Sequence, residues 1–599
     1  MPDQDLSSSA WRISPTAYLH ARPAEHAIAP PASCYVPMRD GCALAVDVYL
    51  PVGAGPCPAI LILTPYYRRF SLKPGATSVE AAPGAARWRD LFVPRGYALV
   101  VVDVRGTGAS FGTRDSFRSP TERDDYREIA DWVVAQPWST GSLGATGISY
   151  VGAACDFLAS TGHTAVKAIA PLFAVWDTYA DHYYPGGLLL HRLAEVYDQL
   201  MVAMDHDRRD LLQSFAYYAE PALDGPAPVD GDNGSQRDAA VREHLGNFRM
   251  PDFITEFRFR EESLPYDPGF SSASFSPYHY ATGIPENVAV YSISGWMDGA
   301  GYANGSLARF LTLPNRNRHL LLGPWDHGAR SNVSPWRDGI APQFNLQGEL
   351  LRFFDHYLQG RATGLDAEAP VHVFTMHSET WQSAPTWPVI ATHRSLALDA
   401  NATLSDHAEP GTDTHKADFS FGSGQKTRYG RLAAFAVTDY YTDWQDRDAG
   451  LLRYTSQPLT HDSELTGHAV LDLWISTDTP DAAIHAFLSE IEPDGTQRYV
   501  TEGVLRALHR KESPPLANYQ AAWPFRTYSR ADAQPLTPGE PALLRIVLLP
   551  TSWTFKAGSR IRLSLSGADS DHYAQVPHGR PPQITVHRGP SVLKLPMTE

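Results

Sequence analysis

Runs of consecutive apolar residues recur along the first 330 positions of the chain, and they predict strands that are buried on both faces. Helix-like segments separate these runs, and this alternation indicates a parallel sheet covered by helices. Residues 35–50 differ, because their alternating pattern around Asp40-Gly41 predicts an antiparallel hairpin. The five apolar runs lie at 58–63, 99–102, 165–171, 288–294 and 319–324.

The pattern of apolar positions changes along the chain, and these changes predict the domain boundaries. The start is rich in Ala, Pro and Ser without periodicity, which indicates a surface arm that is ordered only in part. A later region has helix-like stretches and many aromatic residues, which favours a helical cap. A strand at 370–376 opens a region of short alternating strands, which is typical of a jelly-roll β-sandwich. The predicted units are an arm (1–30), a sheet domain in two parts (31–175 and 284–368), the inserted cap (176–283) and the β-sandwich (369–599).

One stretch of the predicted sheet domain combines small residues with a serine, in Gly147-Ile148-Ser149-Tyr150-Val151-Gly152. A serine at the apex of a sharp strand–turn–helix connection is lifted above a parallel sheet, as in α/β-hydrolases. Glycines allow the strand and the helix to pass close together. Val151 stands where a second glycine is usual. From this hexapeptide alone, a serine that merely caps the helix is an equally good interpretation.

A serine hydroxyl becomes a nucleophile when a base accepts its proton and an acid orients that base. On this type of fold the order along the chain is serine, acid, histidine, each after a strand. Asp298 follows the strand at 288–294, and His327 follows the strand at 319–324. These positions predict Asp298 as the acid and His327 as the base. Asp326 is the alternative acid, but the side chains of adjacent loop residues rarely face each other.

Two hydrogen-bond donors are needed for the oxyanion of a tetrahedral intermediate. The backbone N–H of Tyr150 is one candidate, because it directly follows Ser149. The other donor must follow an early strand, where the hydroxyl of Tyr66 is available. By spacing alone, packing at the end of a strand is the more frequent role for such a tyrosine.

Aromatic residues cluster at the start of the predicted cap and around Asp298. We expect the cap to supply the pocket for the acyl group of a substrate, although such clusters more often belong to a core. The candidate pocket residues are Trp176, Tyr179, Tyr183, Tyr184, Trp296 and Tyr302.

Composition and charge narrow the possible partners and the compartment. The chain has 599 residues, 43% of them hydrophobic, and a net charge of −16 without a cluster of basic residues, which disfavours nucleic acid or an anionic membrane as a partner. Four cysteines do not form a disulfide framework, and no metal-ligand motif is visible. Neither a signal peptide nor a membrane-spanning apolar stretch is apparent, so we expect a cytoplasmic protein.

Several motifs together resemble the cocaine esterase and X-Pro dipeptidyl-peptidase-like family of serine hydrolases, over most of the chain. They are Pro65-Tyr66, Asp103-Val104-Arg105-Gly106 with Gly108 and Ser110, Gly147 to Gly152, Gly295-Trp296-Met297-Asp298-Gly299 and Gly323-Pro324-Trp325-Asp326-His327. The resemblance implies an α/β-hydrolase domain, an inserted helical cap and a C-terminal jelly roll. It also implies Ser149, Asp298 and His327 as the catalytic triad. It further implies that the hydroxyl of Tyr66 and the N–H of Tyr150 form the oxyanion hole.

These observations predict a serine hydrolase without cofactor or metal that cleaves small carboxylic esters, with amides as a second substrate class and water as the second substrate. A dipeptidyl-peptidase or a β-lactam or amino-acyl acylase is the alternative within enzymes. A non-catalytic protein that binds carbohydrate or a protein partner is the alternative from another class. The oligomeric state is left open, with a homo-oligomer among the alternatives.

Overall fold

A computed structural model describes residues 10–330, 332, 334–337, 344–432 and 440–598, without the side chains of residues 431 and 432. A sheet of ten strands forms the centre of the first domain, in the order β1-β2-β4-β3-β5-β6-β7-β8-β9-β10. The strands are β1 Ala32–Pro37, β2 Ala43–Tyr49, β3 Cys57–Thr64, β4 Ala98–Asp103, β5 Ser139–Ile148, β6 Val166–Leu172, β7 Ala289–Gly295, β8 Arg318–Gly323, β9 Val371–Thr375 and β10 Thr380–Ala384.

The central part of this sheet is parallel, as the apolar runs predict. Strands β3 to β9 run parallel to one another, whereas β1 pairs with β2, β2 with β4 and β10 with β9 in antiparallel fashion. The predicted hairpin is also present, because β1 and β2 pair from Pro37 opposite Ala43 to Ala32 opposite Val48. The five apolar runs correspond to β3, β4, β6, β7 and β8.

Helices cover both faces of the sheet. The eleven described α-helices are α1 Pro15–Ala21, α2 Pro83–Phe92, α3 Pro120–Val134, α4 Tyr150–Ser160, α5 His191–Asp205, α6 Arg209–Leu212, α7 Ser235–Glu243, α8 Met250–Thr255, α9 Tyr302–Thr312, α10 Leu346–Gln359 and α11 Arg428–Leu432. Ile60 and Ile62 of β3 pack in the core that contains α2 and α10, whereas Leu61 and Leu63 pack in the core that contains α3 and α4. Because successive side chains of a strand point to opposite faces, burial on both sides requires an unbroken apolar run.

The described part of the N-terminal arm, residues 10–30, makes more contacts with the sheet domain than its composition predicts. Trp11 is buried and stacks on the ring of His372 at 4.4 Å between centroids. In α1, the hydroxyl of Tyr18 donates to Asp355 Oδ2 of α10 at 2.8 Å. The sequence did not predict these contacts, because they depend on two isolated aromatic residues in a segment that is rich in serine and alanine.

The inserted region between β6 and β7 contains α5 to α8, so a cap with helices is present. It is not purely helical, because residues Leu223–Pro226 pair with Phe70–Leu72, which lie outside it. A second short ladder joins Ser263–Leu264 to Asp267–Ser271. The main helix of the cap, α5, lies over the edge of the sheet at which β5 ends.

The C-terminal domain is built almost entirely of strands. Its larger sheet pairs eleven strands and packs against a two-stranded ladder of Ser463–Gly467 with Thr551–Phe555. The strand predicted at 370–376 corresponds to β9, which pairs in parallel with β8 and extends the first sheet. The boundary of the C-terminal domain stays a prediction. An apolar strand at a domain boundary can join either sheet, and the sequence does not show which. The jelly-roll topology stays a prediction. The strands of the larger sheet are Arg394–Asp399, Thr403–Ser405, Gly411–Lys416, Leu452–Ser456, Val470–Thr477, Ala483–Ile491, Gln497–Arg506, Ala542–Val547, Arg560–Ser566, Gln583–Arg588 and Val592–Leu595.

Together these domains match the predicted fold class of a mixed α/β domain with an inserted cap and a C-terminal β domain. Within the described ranges, every helix is too short or too polar to cross a membrane.

Candidate active site

Ser149 lies in the sharp turn between β5 and α4. Its backbone has φ 66° and ψ −121°, a conformation that residues with a side chain rarely adopt. The turn is held from both directions, because the N–H of Ser149 donates to the carbonyl of Leu172 at 2.9 Å and its carbonyl accepts from the N–H of Ala153 at 3.0 Å. The backbone therefore fixes the position of the serine hydroxyl independently of that hydroxyl.

The two glycines of the motif allow the close approach of strand and helix that this turn requires. A Cβ at Gly147 would stand 2.2 Å from Cγ1 of Val151, and a Cβ at Gly152 would stand 2.7 Å from the carbonyl oxygen of Leu172. Both distances are far below van der Waals contact. The close approach of strand β6 therefore explains why the third residue after Ser149, Gly152, is a glycine.

His327 and Asp298 contact each other beside this turn. Nδ1 of His327 lies 2.8 Å from Oδ1 of Asp298, and both side chains are buried. Asp298 follows β7 and His327 follows β8, as the strand positions predict. Asp298 is held by two further donors, the N–H of Gly299 at 2.7 Å and the hydroxyl of Ser294 at 3.2 Å. Such an arrangement fixes the carboxylate that orients an imidazole.

The alternative acid, Asp326, makes its side-chain hydrogen bonds with Arg330. Its Oδ2 pairs with Nη1 of Arg330 at 2.6 Å, and its Oδ1 accepts from the N–H of Arg330 at 3.1 Å. The choice of Asp298 over Asp326 therefore agrees with the contacts that each carboxylate makes.

Tyr66 and Tyr150 lie on the same side of the serine turn, with ring centroids 6.5 Å apart. Burial raises the pKa of Tyr66, while hydrogen bonds with Tyr197 and Ser149 and the charge of Arg118 lower it. The net shift is upward, so the hydroxyl keeps its proton and can donate. Tyr150 is the first residue of α4, and the N–H groups of a first helical turn have no partner within the helix.

Two cavities meet at the serine, and Ser149, Tyr66 and His327 line both of them. The first lies under the cap. The second lies between α2 and the cap residues Tyr217 and Tyr218. An ester has two arms that extend from its carbonyl carbon, so two cavities that meet at one serine suit such a substrate. Besides the three shared residues, the first cavity is lined by Phe117, Arg118, Tyr150, Val175, His182, Tyr183, Leu193, Tyr197 and Tyr302.

The structure brings two of the six predicted pocket residues, Tyr183 and Tyr302, to the first cavity. The other four line neither cavity. Trp176 lies in the core beneath the guanidinium of Arg309, and Trp296 donates through Nε1 to the carbonyl of Phe374 at 2.6 Å. The remaining two, Tyr179 and Tyr184, stack on each other at 4.8 Å, and their hydroxyls donate to cap carbonyls.

Sequence reasoning missed the polar residues of the first cavity, namely Arg118, His182 and Tyr197. The last of these had a usable signal, because it is an aromatic residue on a predicted cap helix. Arg118 had none, since it lies in an irregular loop with φ 47°. Among the residues that the structure describes, no group of three or more His, Cys, Asp and Glu side chains is arranged to hold a metal ion.

Replacing Ser149 with glycine should give a more stable protein than replacing it with alanine. A residue in such a sparsely populated conformation costs roughly 1–3 kcal/mol, whereas glycine adopts it freely. Because glycine also gains entropy in the unfolded chain, we expect a net advantage of about 1 kcal/mol. The midpoint of the first thermal transition measures the difference, and equal midpoints for the two variants would show that the turn stores no strain.

Comparison with known proteins places this architecture in a family. The family model described as X-Pro dipeptidyl-peptidase (S15 family) matches residues 40–329, and the model described as X-Pro dipeptidyl-peptidase C-terminal non-catalytic domain matches residues 363–591. A Mycobacterium bovis protein, provisionally named a serine esterase, is 38% identical over 97% of both chains. The cocaine esterase of a Rhodococcus species is 27% identical over 90% of both chains.

A solved structure shows the same fold. It is a CocE/NonD family hydrolase from Staphylococcus aureus, which superposes with a TM-score of 0.68 over 95% of this chain and 93% of its own, at 18% identity. The resemblance that the motifs predict is confirmed by these matches. The chain is a hydrolase and belongs to the family of serine hydrolases that includes cocaine esterase and the X-Pro dipeptidyl-peptidases.

Proposed function

We propose that the protein is a serine esterase that needs no cofactor, with Ser149 as nucleophile, His327 as base and Asp298 as the acid that orients His327. The observation that carries this proposal is the buried contact between His327 and Asp298 at the wall of two cavities that Ser149 also lines. In such a site the imidazole accepts a proton through Nε2 while the carboxylate holds the Nδ1 proton.

The reaction proceeds in two halves. In the first, Ser149 Oγ attacks the acyl carbon, His327 accepts the serine proton and then gives it to the departing alcohol. In the second, His327 accepts a proton from water, the resulting hydroxide attacks the acyl-enzyme, and the proton returns to Ser149 as the acid leaves. Both tetrahedral intermediates carry an oxyanion, which the hydroxyl of Tyr66 and the N–H of Tyr150 stabilise.

The ester assignment is tested by a panel of substrates and an active-site probe. A fluorophosphonate should label the protein, and esters should be hydrolysed faster than amides of the same acid or X-Pro dipeptide amides. Labelling with turnover of amides alone would indicate the peptidase or acylase alternative. A folded protein that neither reacts with the probe nor hydrolyses any ester would be the non-catalytic binding protein.

Replacing Tyr66 with phenylalanine should lower kcat by a factor of roughly 10² to 10³, because this is the usual loss when one oxyanion donor is removed. Acylation should slow while substrate binding changes little, because the donor acts on charge that develops in the transition state. Pre-steady-state kinetics with a chromogenic ester separates the two effects.

Tyr197→Phe is the matched control for Tyr66. Tyr197 shares a hydrogen bond of 2.7 Å with Tyr66, so its loss removes the neighbour but keeps the proposed donor. We expect a change of less than about tenfold, which is the value of one neutral hydrogen bond. An unchanged rate of acylation in Tyr66→Phe would limit Tyr66 to a packing role.

An ammonium on the acyl group should be disfavoured. A buried cation needs carboxylate partners, and Gly299, Ala300 and Gly301 after Asp298 supply none. The cap supplies none either, because Asp181 accepts from two backbone N–H groups at 2.8 Å and does not line the first cavity.

We therefore expect phenylacetyl esters to be hydrolysed at least roughly tenfold faster than phenylglycyl esters of the same alcohol, assayed where the amine is protonated. The two acyl groups differ only by the ammonium, so each is the control for the other. A kcat/KM in favour of the phenylglycyl ester would assign the protein to the amino-acyl hydrolases.

A further inference from the structure

Two buried nitrogen atoms in the wall of the first cavity lack a hydrogen-bond partner. Arg118 is 4% exposed, its Nε has no partner, and its Nη2 makes only a long contact of 3.4 Å with Oγ1 of Thr178. His182 is 8% exposed; its Nδ1 lies 3.2 Å from the hydroxyl of Tyr302, while its Nε2 has no partner. Both side chains line the cavity that also contains Ser149.

Arg118 has no carboxylate within ion-pairing distance, unlike most of the buried arginines that the structure describes. Arg309 pairs with Asp156 at 2.8 Å, and Arg352 pairs with Glu349 at 3.0 Å. In the part of the chain that the structure describes, no Asp or Glu lies within ion-pairing distance of Arg118. Burying an unpaired cation is costly, so a site of this kind is completed by an anion from outside.

The surroundings of Arg118 are aromatic rather than acidic. Its guanidinium lies 4.9 Å from the ring centroid of Tyr150 and 5.7 Å from that of Phe117. The carboxylate of Glu122 accepts through Oε2 from the hydroxyls of Tyr150 at 2.5 Å and Tyr126 at 2.7 Å, and it makes no ion pair with Arg118. The aromatic rings hold the cation in place and leave its charge for a ligand.

His182 supplies a second donor on the same wall. Burial, with the charges of Arg118 and His327, lowers the pKa of His182 to about 3, so its ring is neutral. When the hydroxyl of Tyr302 donates to Nδ1, the single ring proton lies on Nε2, the atom without a partner. Tyr302 also packs against His327 at 5.0 Å between ring centroids, which places this donor next to the proposed base.

We propose that the first cavity binds acyl groups that carry a second carboxylate, as in half-esters of short dicarboxylic acids. The carboxylate pairs with the guanidinium of Arg118 and accepts a hydrogen bond from Nε2 of His182. This inference rests on the proposed esterase function and names its substrate class. It also gives the exclusion of ammonium groups a second cause, since Arg118 repels them.

The test compares ethyl esters that differ only at the far end of the acyl chain. Monoethyl glutarate and monoethyl adipate carry the carboxylate, ethyl pentanoate lacks it, and the ethyl ester of glutaramic acid replaces it with a neutral acceptor. For the wild type we expect kcat/KM to be roughly 10- to 100-fold higher for the better half-ester than for ethyl pentanoate, the value of a hydrogen bond to a charged group. The amide should fall between them.

Variants of Arg118 decide whether this residue is the cause. In Arg118→Gln the preference for the half-ester should fall to below about threefold, whereas Arg118→Lys should keep part of it. The ratio of the two kcat/KM values is the readout, because it cancels a general loss of activity. Arg87→Gln is the control, since Arg87 lines the second cavity and its loss should leave the ratio unchanged.

Binding of glutarate to Ser149→Ala, measured by calorimetry against pentanoate, separates this inference from the function on which it rests. Tighter binding of glutarate that Arg118→Gln abolishes would support the inference even if no ester were turned over, which would overturn the esterase function alone. Turnover of esters with no preference for half-esters, or a preference that survives in Arg118→Gln, would overturn the inference and leave the function intact.

Discussion

Replacing Ser149 with alanine should lower kcat for ester hydrolysis by about 10⁶. The variant keeps the cavities and the oxyanion donors, but no side chain can form the acyl-enzyme. Any residual turnover should be direct attack by water, without the burst of alcohol that precedes steady state. Steady-state and stopped-flow kinetics with one chromogenic ester measure both quantities.

The fold should survive this substitution, because both hydrogen bonds that hold the turn involve the backbone of Ser149 and not its hydroxyl. An unchanged thermal unfolding midpoint and undiminished binding of a carboxylic acid product are the controls. A variant that retains more than about a tenth of the wild-type rate would exclude Ser149 as the nucleophile.

Replacing Asp298 with asparagine should lower kcat by about 10⁴. The amide is nearly the same size as the carboxylate, and when its oxygen takes the place of Oδ2 it can still accept from the hydroxyl of Ser294. However, the amide can donate to Nδ1 of His327 and thereby favour the ring tautomer that cannot accept the serine proton. Substrate binding should change much less than kcat.

Asp326→Asn is the matched control, since Asp326 is adjacent to His327 in sequence but pairs with Arg330. We expect its kcat to stay within about tenfold of the wild-type value, because the substitution weakens one interaction that does not involve the reacting groups. The reverse order of effects, with the larger loss in Asp326→Asn, would assign the role of the orienting acid to Asp326.

The sequence predicted the sheet and the positions of Ser149, Asp298 and His327 after its strands, because both depend on strong local signals. A strand buried on both faces requires an unbroken apolar run, and the two candidate residues Asp298 and His327 directly follow such runs. The glycines around Ser149 are equally local, since they are required by the approach of two adjacent backbone segments.

The pocket could not be predicted in the same way, because aromatic residues serve cores and pockets alike. Trp176 and Tyr183 are both fully buried aromatics at the start of the cap, yet only Tyr183 lines the first cavity. Which side a residue faces depends here on the packing of the cap over the sheet. The π-helical turn Tyr179–Tyr183 adds to the difficulty, because its side chains do not follow the 3.6-residue period.

The sequence did not predict that β9 joins the first sheet, for a related physical reason. Strand β9 is short and apolar, and it joins whichever sheet edge lies next to it, here that of β8. The N–H of Met376, just past β9, then donates to the carbonyl of Ser552 in the C-terminal domain at 2.9 Å. Backbone hydrogen bonds form with almost any side chain. The sequence of a strand that contacts both domains therefore does not indicate to which domain it belongs.

Trapping the acyl-enzyme tests the central claim most directly. The protein is mixed with a chromogenic ester, quenched in acid within the burst, digested and analysed by mass spectrometry. In the wild type we expect one acyl group, on the peptide that contains Ser149. In Ser149→Ala we expect no acylated peptide. Hydrolysis of the ester with no acylated peptide, or with the acyl group on another residue, would contradict the assignment of Ser149 as the nucleophile.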